Sequence, residues 1–204
     1  MIACRANARE LIADAEVLLE QGRHARTYAL LHTACEELGK FAMLEIGARG
    51  LFRGKAPKWK RFWQRFRSHD SKSAQLEVQL LMLAVSSNKT DDFTDLAETL
   101  FSRGIQVRNA AMYVDLGPNK SFRQPSDLNF DTPVPALRAL AAHALIATDQ
   151  RGSTHAEIEA YLKAPPPPEW LQSAELVFVK FLERMRDAGV EKEKVVEIIN
   201  KRFR

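Results

Sequence analysis

The chain is poor in the features that mark secreted, membrane or metal-clasped proteins. Its 204 residues hold two cysteines, Cys4 and Cys35, too few for a disulfide framework and too few to fill a structural zinc site, which takes about four Cys or His ligands. Both are expected to be reduced thiols. No run approaches the roughly 20 consecutive apolar residues that span a bilayer. Arg5, Arg9 and Glu10 stand where a signal peptide needs an apolar stretch. A cytoplasmic protein with no membrane partner is the expectation. Segments of alternating apolar and polar residues are missing, which argues against sheet. Glu-x-x-His pairs are missing as well, which excludes the di-metal carboxylate type of helical bundle.

What remains is ordinary globular material, with 46% hydrophobic and 27% charged residues, enough apolar side chain to fill a core. The length suits one domain, or one domain with a small appendage. The formal net charge is only +4, but it is unevenly spread. Between Arg49 and Lys72 nine basic residues (Arg49, Arg53, Lys55, Lys58, Lys60, Arg61, Arg65, Arg67, Lys72) face one acid, Asp70, a local +8 that leaves −4 for the rest. A concentrated basic stripe is the electrostatic footprint of a polyanion partner, because Lys and Arg release the counterions condensed on phosphates.

Apolar residues recur at three- and four-residue spacing, so the chain reads as all-α. A first helix is predicted from about Ala6 to Glu20, with Leu11, Ala15 and Leu18 on one face and Gly22 closing it. A second covers about Ala25 to Ala48 with Tyr28, Leu31, Cys35, Leu38 and Ala42 as its buried stripe, and Gly47 and Gly50 read as its stop. Pro57 opens a long third helix, about Lys58 to Ser86, whose stripe runs from Trp59, Phe62, Trp63 and Phe66 into His69, Ser73, Leu76, Leu80 and Leu83. A fourth follows Asp91 or Asp92 through Leu96, Leu100, Val107 and Ala111 until Gly117-Pro118 stops it. The proline-dotted stretch to Pro135 reads as a long loop, and another helix covers about Ala136 to Thr148. Thr154 and Glu157 form a capping-box signature for a short helix to about Lys163. Pro165 to Pro168 then make a stiff link to helices from Trp170 to about Arg186 and around Val195. The organisation expected is a helical bundle over 1–150 with accessory helices over 151–204.

Three clusters invite a chemical reading. In Glu36-Glu37-Leu38-Gly39-Lys40 the spacing suits surface ion pairs of a few tenths of a kcal/mol. Gly39 inside a long helix costs about 1 kcal/mol relative to Ala, which is tolerated where another backbone comes close. His69, with Lys72 beside it, follows Phe66 by three residues and is either a satisfied core histidine or a functional imidazole. The aromatics Trp59, Phe62, Trp63 and Phe66 have the spacing of core or interface residues, which leaves Lys58, Lys60, Arg61, Arg65, Arg67 and Lys72 as the candidates for phosphate contact. In the third cluster, Arg108-Asn109-Ala110-Ala111-Met112-Tyr113-Val114-Asp115, Arg108 and Tyr113 lie about 140° apart on a regular helix. They meet only if the last turn loosens. An Arg108 held in an ion pair within its own subunit is the arrangement expected of a structural role.

The ordered set of Asn7, Asp14-Ala15, Tyr28-Ala29, Glu36-Glu37-Leu38-Gly39-Lys40, His69 with Lys72, and Arg108 through Tyr113-Val114-Asp115 resembles the AbiV-type abortive-infection proteins, a branch of the HEPN superfamily. The resemblance covers about Asn7 to Asp115. It implies an all-α HEPN-like helical bundle, a homodimer, and a ribonuclease site that uses no metal and no cofactor. In that pattern an Arg, an adjacent polar residue and a His four to six residues on meet across the dimer interface. Arg108 and Asn109 match the first two, and Tyr113 stands where the His would be. A phenol, with an ordinary pKa of about 10, is a poor base at neutral pH unless a nearby cation depresses it, so either Tyr113 or His69, as the missing imidazole, is the candidate to handle the proton. Glu36, Glu37, Lys40 and Asp115 are cast as supporting residues. Two functions follow as expectations. One is a phage-defence ribonuclease toxin acting on cellular or phage RNA. The other is a non-catalytic binding or sensor module that blocks translation or recognises a phage protein. A phage protein or a cognate regulator is a candidate partner in either case.

Overall fold

The computed structural model describes residues 1–69, 71–72, 75, 105–116, 121–131 and 133–165. Helix α1 (Ile2–Glu20) and helix α2 (His24–Phe52) form the frame. They are joined by a turn that the sequence specifies locally. Gly22 takes φ +69°, its amide donates to Leu19 O and the Arg23 amide to Leu18 O, each at 2.9 Å. This is the paired hydrogen-bond pattern that closes a helix on a left-handed glycine. The chain therefore reverses at once and lays α1 along α2. Ala8 and Ala15 are buried in that contact, where their small side chains leave room for the partner helix.

Helix α5 (Pro133–Asp149) packs against α2 and α1, and α4 (Ile105–Met112) covers another part of α2. The core lies between them. Tyr28, Leu31, Cys35 and Leu38 of α2 meet Ala111, Phe130, Val134, Leu137 and Leu140, with the Tyr28 and Phe130 rings 5.1 Å apart. The predicted stripe of α2, Ala42 included, is buried throughout. A fully buried aliphatic side chain of this kind contributes about 1.5–3 kcal/mol. Arg5 is buried too, and it donates to the carbonyls of Thr148 at 3.1 Å and Gly152 at 2.6 Å. A cation there complements the negative end of the α5 dipole.

Helix α6 (His155–Lys163) starts where Thr154 and Glu157 predict it. The Thr154 hydroxyl accepts from the Glu157 amide at 3.2 Å, and the Glu157 carboxylate accepts from the Thr154 amide at 3.0 Å. The helix is fastened to α2 by Glu45, whose carboxylate takes the Arg151 guanidinium at 2.8 Å and the Tyr161 hydroxyl at 2.8 Å. Arg49 lies over the Tyr161 ring at 4.2 Å.

Four expectations need correction. Helix α2 does not stop near Ala48 but runs on to Phe52. Gly47 is there to admit the Phe62 ring, 3.2 Å from where a Cβ would sit, and Gly50 to admit the Lys55 carbonyl. The third helix is not one long rod: α3 (Trp59–Arg67) ends at Ser68, which is extended at φ −76° and ψ 127°, and helical backbone resumes at His69. The loop after α4 contains a two-residue antiparallel pair, β1 (Asp115–Leu116) with β2 (Phe122–Arg123), in the register Asp115 to Arg123. Pairs this short carry no alternation to detect. Helix α4 also ends at Met112, before Gly117. The expected stretch from Leu76 to Leu100 and the helices from Trp170 onward lie outside the described residues.

Candidate functional site

The site is organised around a buried carboxylate on α2. Glu36 exposes only 4% of its side chain, and four nitrogens surround it. Lys72 Nζ lies 3.0 Å from Oε2, His69 Nδ1 2.6 Å from Oε2, Arg108 NH1 2.9 Å from Oε1, and His32 Nδ1 3.4 Å from Oε1. They come from three places: His32 sits one turn earlier on α2, His69 and Lys72 follow α3, and Arg108 is on α4. Glu36 is thus the point where three separated parts of the chain are tied together.

Gly39 makes this possible. A Cβ there would stand 2.2 Å from the Lys72 carbonyl oxygen and 2.8 Å from its carbon, so the Lys72 backbone rests directly on α2. The close crossing expected at this glycine is present. It places the Lys72 ammonium and the His69 ring within reach of a carboxylate one turn away.

Burial alone would raise the Glu36 carboxyl. The nearby His32 ring, hydrogen bonds from Lys72 and His69, and the Lys72 charge outweigh it and hold the group well below the usual carboxylate range. Glu36 is therefore ionised and can only accept, so His69 Nδ1 carries the proton shared with Oε2. Arg108 NH1 at 3.2 Å and Lys72 Nζ at 3.4 Å from the same nitrogen are then close neighbours of His69 and not its donors. The other ring nitrogen, Nε2, has no partner among the described residues. The ring is 43% exposed, so it is not the enclosed core histidine that its place in the stripe allowed. Lys72 and Arg108 bring two positive charges to one carboxylate, which gives these three groups a net charge of +1.

The remaining candidates fall into three groups. Arg108 is 14% exposed, ion-paired with Glu36 and bonded through NH2 to Asn109 Oδ1 at 3.0 Å, so Arg108 is joined to Asn109 and is also tied within its own subunit. Tyr113 is 61% exposed; its amide donates to Asn109 O at 2.9 Å, but its hydroxyl makes no hydrogen bond among the described residues, so the structure brings guanidinium and imidazole together without the phenol. Glu37 and Lys40 pair as their spacing suggests, but they are largely buried, with only 12% and 24% of their side chains exposed; Asp115 contributes its backbone to β1. Of the basic candidates, Lys58, Lys60, Arg61, Arg65 and Arg67 are exposed. Lys72 is not: it is buried against Glu36, which corrects its place among the candidates for phosphate contact. His32, which sequence reasoning passed over, belongs to the cluster; its place four residues before Glu36 was the available signal.

Among the described residues no group of three or more His, Cys, Asp or Glu is placed to hold a metal ion, and no helix is long and apolar enough to cross a membrane. The helical architecture is that of the HEPN fold. A family model described as AbiV matches residues 1–143, and the chain belongs to this AbiV family of HEPN proteins, a family of abortive-infection proteins. Neither the curated proteins nor the solved structures give a match.

Proposed function

We propose that this protein is a phage-defence effector that cuts RNA without a metal ion. The observation that carries the reading is the meeting of Glu36, His69 and Arg108, with the imidazole held by its Nδ1 and its ring reaching solvent. In metal-free cleavage the ribose 2′-hydroxyl attacks the adjacent phosphorus, and its proton must go to a base. His69 Nε2 is suited to take it. The Glu36 carboxylate fixes the tautomer that leaves Nε2 as the acceptor and stabilises the imidazolium that forms, a carboxylate–imidazole pairing familiar from other hydrolytic sites. As the phosphorane gains charge, the Arg108 guanidinium stabilises it. The bond to the 5′-oxygen breaks, that oxygen takes a proton, and the products are a 2′,3′-cyclic phosphate and a 5′-hydroxyl. Lys72 acts at one remove by keeping Glu36 ionised. In this reading the protein is a homodimer, which sedimentation or light scattering tests directly.

Purified protein incubated with total RNA in EDTA is expected to cut it, with His69→Ala and Arg108→Ala each slower by about 100-fold or more. Intact RNA at high protein concentration, or undiminished cutting by Arg108→Ala, overturns the proposal. A second reading has its own support: Arg108 is already engaged by Glu36, and Tyr113 joins nothing. On that reading the protein is a binding module that blocks translation or recognises a phage protein through its basic face. Charge reversal at Lys60, Arg61 and Arg65 then abolishes protection against phage while His69→Ala keeps it.

A further inference from the structure

Helix α3 has the spacing of a core helix and the exposure of a surface one. None of its nine residues is buried. At about 100° per residue, Trp59 and Trp63 share one line along it, with Phe66 beside them; Lys60 and Arg67 flank that line on one side, and Phe62, then Arg61 and Arg65, on the other. Phe62 anchors the helix by seating its ring against Gly47 of α2. Trp59 and Trp63 remain 48% and 41% exposed. Their rings are near-parallel, tilted 21° with centroids 6.3 Å apart, so they tile the helix as two flat steps. Beneath Arg61 and Arg65 a cleft of about 460 Å³ opens between α3 and α2, floored by Met43, Ile46 and Phe62.

We infer that α3 is a track for single-stranded RNA, on which Trp59 and Trp63 each stack an unpaired base while Lys60 and Arg67 hold the phosphates alongside. Every base has a π-face, so such a track takes any sequence, but a duplex hides those faces. The charge is complementary: Lys58 to Arg67 holds five cations and no acid, and none of the five is ion-paired among the described residues. The direction is set as well. Arg67 at the end of α3 stands two residues before His69, so a strand lying along the tryptophans leads to the Glu36 cluster. This continuity favours a polynucleotide over an anionic lipid surface, which would have no reason to run toward that cluster. The inference rests on the reading of the cluster as an RNA site, and it adds the strandedness of the substrate and the residues that choose it.

The test uses the full chain and a twelve-residue oligo(dU), which lacks the 2′-hydroxyl and so reports binding apart from cleavage. Tryptophan emission is expected to quench saturably with the oligonucleotide, more weakly with a twelve-pair duplex of mixed sequence, and not with vesicles of phosphatidylcholine and phosphatidylserine. By fluorescence anisotropy of labelled oligo(dU), the Trp59→Ala/Trp63→Ala variant is expected to bind about 100-fold more weakly, roughly tenfold per lost ring. Its dependence of log K on log salt should be unchanged. Lys60→Gln/Arg67→Gln should instead flatten that dependence by about 1.4, the counterions of two single-strand phosphates. Trp59→Phe/Trp63→Phe keeps two aromatic faces and should retain most of the affinity, which separates stacking from any loss of fold seen in far-ultraviolet circular dichroism. Full affinity in the double alanine variant, duplex bound as tightly as single strand, or quenching by vesicles with none by oligo(dU) overturns the inference. Oligonucleotide binding without RNA cutting would sink the proposed activity and leave the track standing; cutting without tryptophan-dependent binding would do the reverse.

Discussion

Replacing Glu36 by Gln keeps the shape of the side chain and removes the charge to which Lys72 and Arg108 are matched. Lys72 is 6% exposed and Arg108 14%, so water cannot take the place of the lost carboxylate. Breaking a buried ion pair from one side costs about 3–5 kcal/mol. At an m-value of about 2 kcal/mol per molar, the urea midpoint should fall by roughly 2 M, and the melting temperature by about 10 °C for a chain of this size. Adding Lys72→Met removes a stranded ammonium and should recover part of the loss. The dependence on pH carries the sign. Because the folded carboxyl is held below the usual range, the unfolded chain takes up the proton first on acidification. The contribution of Glu36 is therefore complete above the ordinary glutamate value of about 4.3 and declines as pH falls below it. Gln does not titrate, so the gap between wild type and Glu36→Gln should narrow in acid. A variant within 1 kcal/mol of wild type at neutral pH, or a gap that widens toward acid, would refute the account of the cluster.

Two further outcomes follow from the packing. Gly39→Ala gains helix propensity of about 1 kcal/mol but drives a methyl group into the Lys72 carbonyl. The net effect should be a loss of about 1–3 kcal/mol, read as a lower urea midpoint; a stabilised variant contradicts the crossing. Cys35 is buried and its thiol is pushed up to about 12 by desolvation and by the neighbouring Glu36 charge. Iodoacetamide followed by peptide mass mapping should leave Cys35 unmodified in the folded protein at pH 8 and label it in urea, whereas rapid native labelling refutes the burial.

Local rules were legible in the sequence, and contacts between distant segments were not. The Gly22 turn, the Thr154–Glu157 box and the Tyr28-to-Ala42 stripe each depend on residues within two turns of one another, so spacing specifies them. Gly47 and Gly50 misled for the opposite reason: a glycine reads as a stop locally, and only the arrival of Phe62 and Lys55 explains why the helix continues. Glu36 and Glu37 looked alike beside Lys40, yet Glu37 stayed with Lys40 while Glu36 turned inward to partners 33 to 72 residues away. Lys72 likewise belonged to a basic run by sequence and to a buried ion pair by structure. The aromatics of α3 have core spacing, and only the fold reveals that Trp59 and Trp63 face outward.

The seating of the Lys72 carbonyl on Gly39 means that the reach of His69 toward Glu36 is gauged by main-chain contact and not by side-chain length. Transplanting the four-nitrogen cluster onto another pair of helices would fail if only the charged residues were copied, since any host residue bulkier than hydrogen at that crossing would hold the imidazole away from its carboxylate. The smallest residue in the neighbourhood acts as the shim that sets the gap.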